Sequence, residues 1–353
     1  MNLNQNSGHW KRKALWILLA IALNFLWTKD VWEVFPFVQH RRRYCSHNAV
    51  KSPYCNFSVI RTLEGHSTAS AIAISTDGKT LVSGGKDKAI KVWDLQTGQL
   101  RKTLQSNSGE IYTLAIAPDG NTIVSGSGDR RIRIWNITSD QRPRMLAAQS
   151  YKVNRVEISS DGKTITSHSD DEIKAWDLAT GQLKATFPLP FNNLLDISPD
   201  GQTVLIRLSD SKIVAWDVAT NQQKVLPAFF NSVSARISLD GQTLVTIKEA
   251  GKRNFELKVS DLATGKLKEQ RRFSRDFQIF NIAISRNFII GSTRKGLAVW
   301  NLQTAELEAI LNEATLNKEN MRYLLVSPDG KLLAGITGDS DHRNTKIKVL
   351  QRP

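Results

Sequence analysis

The chain has 353 residues, with 48 lysine or arginine residues against 33 aspartate or glutamate residues and a net charge of +15 at pH 7. Length alone predicts two domains, and the positive charge suits anionic lipid headgroups, acidic proteins or nucleic acid without selecting among them. The six histidines and two cysteines are scattered or confined to one short stretch, which argues against a large metal centre.

The N-terminal segment, residues 1–56, combines a basic cluster with an apolar run. Lys11, Arg12 and Lys13 adjoin residues 14–27, in which only Asn24 is polar. This run is shorter than the roughly 18 to 20 residues of a spanning helix and within the range of a signal-peptide core. We predict a short apolar helix that acts as an uncleaved membrane anchor. A cleaved signal peptide and a buried or surface-lying helix are the alternatives.

Basic residues flank this run on both sides. The positive-inside rule places residues 11–13 in the cytoplasm and the rest of the chain on the exoplasmic side, whereas residues 41–43 (Arg-Arg-Arg) favour the opposite orientation. We expect an exoplasmic location, with the cytoplasmic side as the alternative. Residues 11–43 would also contact lipid headgroups, at about 1 kcal/mol for each cation near an anionic surface.

The two cysteines, Cys45 and Cys55, lie in the linker that follows the apolar run. In an exported protein such a pair favours a disulfide, and only one connectivity exists. The alternative is two free thiols. A metal site formed by His40, His47 and the two cysteines does not match the usual zinc spacings, so we predict no metal.

The remainder of the chain repeats one pattern, a two-residue turn followed by an aromatic anchor. The turns are Asp77-Gly78, Asp119-Gly120, Asp161-Gly162, Asp200-Gly201, Asp240-Gly241 and Asp329-Gly330. The anchor positions are Trp93, Trp135, Trp176, Trp216, Ser260, Trp300 and Leu350. Successive anchors are about 40 to 50 residues apart, a period typical of repeat architectures.

Each repeat predicts β-strands. An alternating apolar run precedes the Asp-Gly turn, as in residues 71–75, and two more runs follow it, as in residues 80–83 and 90–94. Alternation bounded by Asp-Gly indicates antiparallel strands joined by tight turns. No helix of ten or more residues fits into the repeat, so this region is predicted to be all-β.

Three stretches of the first repeat resemble a WD-repeat blade: residues 63–66 (Leu-Glu-Gly-His), residues 83–87 (Ser-Gly-Gly-Lys-Asp) and residues 92–94 (Val-Trp-Asp). The resemblance extends over residues 57–353. It implies that His66, Ser83, Asp87 and Trp93 form a hydrogen-bonded structural tetrad. Asp129, Asp170 and Asp210 occupy the position of Asp87 in the next repeats, whereas Ser106-Asn107 replaces Gly-His in the second.

Seven anchors predict a seven-bladed β-propeller of four-stranded blades, a closed ring that protects its strand edges. The chain ends three residues after Leu350, before a fourth strand could form. Residues 59–63 are the candidate for that missing strand, as in the overlap usual for this family. We therefore predict one propeller domain at residues 57–353, preceded by the anchor and linker at residues 1–56.

Sequence signatures of enzymes are absent. The chain has no phosphate-binding Gly-rich loop, nucleophile elbow or His-Glu-x-x-His motif. The repeated aspartates at positions 87, 129, 170 and 210 follow the spacing of a structural turn and are not expected to act as acids or bases. We predict that the protein is not an enzyme and holds no cofactor.

Two functions remain open. The favoured one is a membrane-tethered scaffold that binds a protein partner on one propeller face. The alternative is an exported propeller that binds a small ligand or glycan in its central channel, as a sensor or hydrolase. Carboxylates or histidines at the starts of the first strands would favour the alternative, but the positions expected there are Ala71, Leu114, Val156 and Leu194.

The loops between second and third strands open on one face in this family, and here they are rich in cations. The candidate partner-binding residues are Lys86, Lys88, Arg130, Arg131, Lys212, Lys252, Arg253, Arg294, Lys295 and Arg343. The third repeat departs from the pattern with Asp171 and Glu172. We expect the candidate residues to attract an acidic protein segment or anionic headgroups; the alternative is a charged, soluble surface that binds no partner. Nucleic acid is not expected, because the aromatic residues serve as anchors and do not alternate with the cations. The sequence does not fix the oligomeric state.

Overall fold

The computed structural model describes residues 53–352 except 106–107, 189–193, 209–211, 219, 221, 227–231, 251–253, 275–278, 294–295, 312–320 and 339–344. The chain divides into two compact units, residues 1–50 and Lys51–Pro353. The predicted apolar helix lies outside the described residues. No helix in the described ranges is long and apolar enough to cross a membrane.

The described part of the chain forms a seven-bladed propeller of four-stranded antiparallel sheets, after a short 3₁₀ helix at Pro53–Asn56 and the strand β1 (Ser58–Leu63). Blade 1 contains β2 (Ala69–Ile74), β3 (Thr80–Gly85), β4 (Ala89–Asp94) and β5 (Leu100–Gln105). Blade 2 contains β6 (Ile111–Ile116), β7 (Thr122–Ser127), β8 (Ile132–Asn136) and β9 (Arg144–Met145). Blade 3 contains β10 (Arg155–Ile158), β11 (Thr164–His168), β12 (Glu172–Asp177) and β13 (Leu183–Pro188).

The second half of the ring continues the series. Blade 4 contains β14 (Leu194–Ile197), β15 (Thr203–Arg207), β16 (Ile213–Asp217) and β17 (Gln223–Leu226). Blade 5 contains β18 (Ser232–Ile237), β19 (Thr243–Glu249), β20 (Asn254–Asp261) and β21 (Leu267–Ser274). Blade 6 contains β22 (Ile279–Ile284), β23 (Phe288–Thr293), β24 (Gly296–Asn301) and β25 (Leu307–Leu311). Blade 7 contains β26 (Arg322–Val326), β27 (Leu332–Thr337) and β28 (Lys346–Gln351), with β1 as its outer strand.

The ring closes through β1, as the sequence predicts. This strand pairs antiparallel with β28, with Val59 opposite Leu350 and Leu63 opposite Ile347. Leu63, at the end of β1, and Phe57, the residue before β1, are both buried. The first and last parts of the chain therefore share one sheet, and blade 7 has no open outer edge at β28.

The Asp-Gly turns carry a second element that the sequence analysis did not include. In blade 1 the Ser75 hydroxyl donates to Asp77 at 2.6 Å, and the same carboxylate accepts the Lys79 N–H at 3.0 Å. Gly78 has a φ of 69°, a conformation that a side chain at this position would strain. The hydroxyl and backbone hydrogen bonds hold the pKa of Asp77 below its usual value.

The core lies between neighbouring blades. One cluster joins Trp93 and Leu81 of blade 1 to Ile336 and Val349 of blade 7, and the next joins Ile90 of blade 1 to the anchor of blade 2. The second strands are buried on both faces, and every residue of β3 is buried. Each anchor thus fills the space between two sheets rather than the interior of one.

Four outer-strand cations join successive blades at the rim. They occupy one register position, opposite the residue before the anchor: Arg61, Lys102, Arg144 and Lys224. Each donates to a backbone carbonyl between the third and fourth strands of the following blade: Arg61 to Gln96, Lys102 to Ser139, Arg144 to Ala179 and Lys224 to Ala263. These rim cations cross the contacts between blades 7 and 1, 1 and 2, 2 and 3, and 4 and 5.

Removal of residues 1–63 should destabilise the propeller, because blade 7 loses β1 and the buried side chains of Phe57 and Leu63. Two such losses remove several kcal/mol, so the melting temperature should fall by about 5 °C or more. Removal of residues 1–50 keeps both side chains and should change it by less than about 2 °C. Both truncations are melted in reductant, so that the cysteines do not contribute. Equal melting temperatures would contradict closure by β1.

Candidate functional site: the loop face and the channel wall

The predicted tetrad forms in blade 1. The Trp93 indole N–H donates to the Ser83 hydroxyl at 2.8 Å, and His66 Nε2 lies 2.8 Å from the same oxygen. His66 Nδ1 lies 2.9 Å from Asp87. Because an ionised carboxylate can only accept, Nδ1 carries a proton, and in the tautomer protonated only there Nε2 accepts the Ser83 O–H. His66, Ser83 and Trp93 are buried, so this chain of hydrogen bonds links the core to the loop above it.

The tetrad fixes the loop that carries Lys86 and Lys88. The Lys86 N–H donates to the Thr68 carbonyl at 2.9 Å. A Cβ atom at Gly85 would lie 2.6 Å from that same carbonyl oxygen and 2.8 Å from the Asp87 carboxylate, so the loop packs too closely for a side chain there. Lys88 adopts a φ of 65°, in the left-handed region. The two lysines are therefore exposed on a rigid loop.

Blade 2 holds its loop with different residues. Trp135 donates to Ser125 at 2.9 Å, but the aspartate pairs with Arg133 at 2.6 and 3.1 Å and accepts the Ser108 hydroxyl at 2.7 Å. Burial raises the pKa of Asp129, whereas the hydrogen bonds from Arg133 and Ser108 lower it. The hydrogen bonds outweigh burial, so the pKa lies well below its usual value. Arg133 is itself buried. An arginine thus replaces the missing histidine as partner of the aspartate.

Blade 3 uses amide side chains instead. Trp176 donates to Ser167 at 2.8 Å, and the buried Gln149 amide donates to the same hydroxyl. The Asn154 amide donates to Asp170 at 2.6 Å. Sequence analysis missed Gln149 and Arg133, because the resemblance to a WD-repeat blade points to histidine at this place. The sequence signal that could have identified them is an amide or a cation close in sequence to a Ser-Trp pair that the repeat retains.

The hydrogen-bond chain is lost in blades 5 and 6. Ser260 replaces the anchor tryptophan, and its buried hydroxyl has no hydrogen-bond partner within the described ranges. In blade 6, Gly291 replaces the bridging serine, and the Trp300 indole fills the space where its Cβ would lie. Trp300 Nε1 also lacks a partner among the described side chains, although Phe273 packs against the ring edge-on at 5.7 Å.

The loop face of blades 1 to 3 presents cations and aromatics together. Lys86, Lys88, Arg130 and Arg131, four of the candidate partner-binding residues, are exposed. The structure adds Tyr112, Tyr151 and Lys152, which sequence analysis missed; all three are exposed, and the Lys152 ammonium lies 5.8 Å from the Tyr112 ring centre. We define these seven residues as the basic face.

Not every predicted residue of this face can be placed. Lys212 is half-buried, and five others lie outside the described residues: Lys252, Arg253, Arg294, Lys295 and Arg343. In blade 3, Glu172 accepts from Lys174 at 2.7 Å and from the Ser150 N–H at 3.2 Å. The acidic loop of blade 3 is thus partly neutralised within the blade.

The linker cysteines are described only in part. Cys55 is disulfide-bonded. Its predicted partner, Cys45, lies outside the described residues, as do His40 and His47, so the pairing remains a prediction. The described residues contain no group of three or more metal-ligating side chains.

The channel wall carries charges that the sequence analysis did not find. The sequence analysis named uncharged positions in blades 1 to 4, from Ala71 to Leu194, and no position in blade 5. On the first strands of blades 3 to 5, Glu157, Asp196 and Arg236 occupy equivalent register positions. Each of the three lies four residues before the aspartate of its Asp-Gly turn, a spacing that could have identified them from the sequence.

The charged cluster extends to His168, which pairs with Arg155 across β10 and β11. His168 is 5% exposed, and its Nε2 atom has no partner in the described part of the chain. Burial, and the positive charge of Arg155 next, lower the pKa of His168 to about 4. The ring is therefore neutral at pH 7.

Comparison with known proteins fits this geometry. The family described as WD domain, G-beta repeat matches residues 57–94 and 98–136. These two stretches are WD40 repeats. They cover β1 to β8, in which the Ser-Trp hydrogen bonds are intact. A 51-residue stretch is 43% identical to zinc finger CCCH domain-containing protein 59 of Arabidopsis thaliana, covering 14% of this chain and 11% of that protein. The chain thus matches about a tenth of the length of that relative.

Substitution of Ser83 by alanine should destabilise blade 1, because Trp93 Nε1 and His66 Nε2 lose their common partner while both stay buried. Each unpaired group costs about 1 to 3 kcal/mol, measured as the free energy of unfolding in urea. The matched control is Ser292→Ala, which removes a buried hydroxyl that has no partner within the described ranges and should change stability by less than about 0.5 kcal/mol. Equal effects of the two changes would show that the tetrad contributes nothing.

Proposed function

We propose that this WD40 propeller is a membrane-tethered interaction scaffold whose basic face binds an acidic segment of a protein partner. WD40 propellers in general bind protein partners, and this chain adds a specific surface to that general role. The observation that carries the proposal is the clustering of exposed cations and tyrosines on loops whose backbone is fixed by buried hydrogen bonds. The proposal assigns no catalytic role to the propeller.

The composition of the basic face supports an acidic occupant. Five of its seven residues are cations, and the nearest loop aspartate of blade 2 is already neutralised by Arg133. Exposed cations raise the rate of encounter with an acidic surface, whereas tyrosines supply contact area at small entropic cost. Rigid loops also lower the ordering cost of binding. Charge would therefore steer the partner, and the tyrosines would hold it.

The tether would be residues 1–56. The apolar run at residues 14–27 between two basic clusters supports an anchor, and the cations at residues 11–13 and 41–43 suit contact with anionic headgroups. In the preferred orientation the N-terminus is cytoplasmic and the propeller exoplasmic. The disulfide bond of Cys55 fits an oxidising compartment.

Charge reversal tests the basic face. Exchange of Lys86, Arg130 and Arg131 for glutamate should abolish labelling of the partner when the full-length protein carries a proximity-labelling enzyme in cells. The matched control uses three exposed lysines that follow Asp-Gly turns: Lys79, Lys163 and Lys331. They precede the second strands of their blades, whereas the basic-face cations in the reversed variant follow second strands. Exchange of the control lysines for glutamate should leave labelling unchanged, with equal melting temperatures for both variants.

Salt provides an independent measure of the same interaction. Capture of the labelled partner by the purified protein should weaken steeply between about 0.1 M and 1 M salt, because exposed charges are screened over about 10 Å at 0.1 M. Loss of capture in the control variant, or capture that persists in the reversed variant, would disprove the basic-face proposal.

Protease accessibility tests the tether and its orientation. Protease added to intact cells should digest the propeller, and residues 1–56 should keep it in the membrane fraction after carbonate extraction. Non-reducing mass analysis should show the peptides of Cys45 and Cys55 linked. Permeabilised cells serve as the control for protease activity. Full protection in intact cells with free thiols would instead place the scaffold in the cytoplasm.

A further inference from the structure

One layer of the propeller channel is charged on one side only. Seven first-strand residues occupy equivalent register positions: Ala73, Ala115, Glu157, Asp196, Arg236, Ala283 and Leu325. The first strands pair only with second strands inside their own sheets, so their other edges face the centre of the ring. Blades 3, 4 and 5 therefore contribute every charge of this layer, and the other four blades contribute apolar side chains.

Both carboxylates of this cluster accept hydrogen bonds from Arg155. Arg155, two positions earlier on β10 than Glu157, donates to Glu157 at 2.9 Å, to Asp196 at 2.5 Å and to the Leu195 carbonyl at 3.2 Å. Asp196 also accepts the Ile237 N–H of blade 5 at 2.7 Å. Its side chain is only 5% exposed. These contacts join blades 3, 4 and 5 and use both oxygens of Asp196.

Arg236 is different, because it has no carboxylate partner at hydrogen-bonding distance. Its Nη1 atom donates to the carbonyls of Leu195 and Ala235 at 3.0 and 3.3 Å and lies 3.8 Å from Asp196. Among the described residues, its Nε and Nη2 atoms have no acceptor. The side chain is 30% exposed, so part of it is open to solvent.

The free edge of Arg236 has the geometry of an oxyanion site. Nε and Nη2 present two parallel N–H groups, the fork that binds both oxygens of a carboxylate. Burial is the main cause that lowers the pKa of Arg236; the charge of Arg155 lowers it too, and the charges of Asp196 and Glu157 oppose both effects.

We propose that the channel binds a small organic acid, with its carboxylate on the Nε and Nη2 edge of Arg236 and a short apolar body toward the uncharged part of the layer. The site is separate from the basic face and does not depend on the proposed partner. It needs a ligand with a single negative group, because Glu157 and Asp196 on the same wall repel a second anionic group nearby. A cation is disfavoured, because Arg155 already occupies both carboxylates.

The test uses butyrate as probe, with butyramide as its uncharged match, on the full-length protein in lipid nanodiscs. Butyrate should bind saturably by calorimetry and should shift the Arg236 Nε–Hε resonance, whereas butyramide should do neither. Arg236→Gln should weaken butyrate binding at least tenfold, since the charge-assisted fork is lost. Arg236→Lys, which keeps the charge without the fork, should give an intermediate affinity.

The basic-face variant, with Lys86, Arg130 and Arg131 changed to glutamate, serves as the control and should bind butyrate as the unaltered protein does. Failure of the basic-face proposal would therefore leave this result untouched. Absence of saturable butyrate binding, or equal binding by a folded Arg236→Gln protein, would show that the cluster only joins blades. If Arg236→Gln does not fold, the resonance shift in the unaltered protein decides: no shift on addition of butyrate overturns the proposal.

Discussion

The pairing of β1 with β28 is the constraint on which the rest of the propeller depends. It brings Val59 beside Leu350 and so converts an open stack of sheets into a ring in which every first strand faces the centre. It also explains why the WD40 match begins at residue 57, so that its first strand is β1 of blade 7 and not a strand of blade 1. Each sequence repeat therefore contributes to two blades, and neighbouring blades are linked covalently. The rim cations, such as Arg61 on β1, add a hydrogen bond to the same contact.

Regularity decreases along the ring, and this gradient decides where a rigid binding surface can form. Blades 1 to 3 keep a tryptophan bonded to a serine, and in each the loop aspartate is held by a neighbouring side chain. In blades 5 and 6, Ser260 and Trp300 keep the packing position without the polar contact. Burial alone is enough to fill the space between sheets, whereas in blade 1 the bonded tetrad also links the core to the loop above it. The basic face lies over the bonded blades.

The fold could be predicted from the sequence because its signals are local. The Asp-Gly turn, the alternation and the anchor spacing each lie within one repeat, and the closing strand at residues 59–63 follows from counting strands. The site was less predictable because its contacts are not local. Arg133 and Gln149 replace a histidine in chemically different ways, and Arg155 and Arg236 contact residues of a different blade about 40 positions away in the sequence. The pattern within one repeat carries no record of such contacts.

The two proposed sites share the sign of their ligand but differ in how salt and burial act on them. The basic face is exposed, so its field extends into solvent and is screened within a few ångströms at high ionic strength. Arg236 is mostly enclosed by protein, where screening is weaker and directional hydrogen bonds matter more. The face therefore suits rapid capture of an extended acidic surface, whereas the channel suits discrimination among small anions by shape. A propeller with both features can hold a partner on its basic face while its channel stays available to a second, smaller ligand.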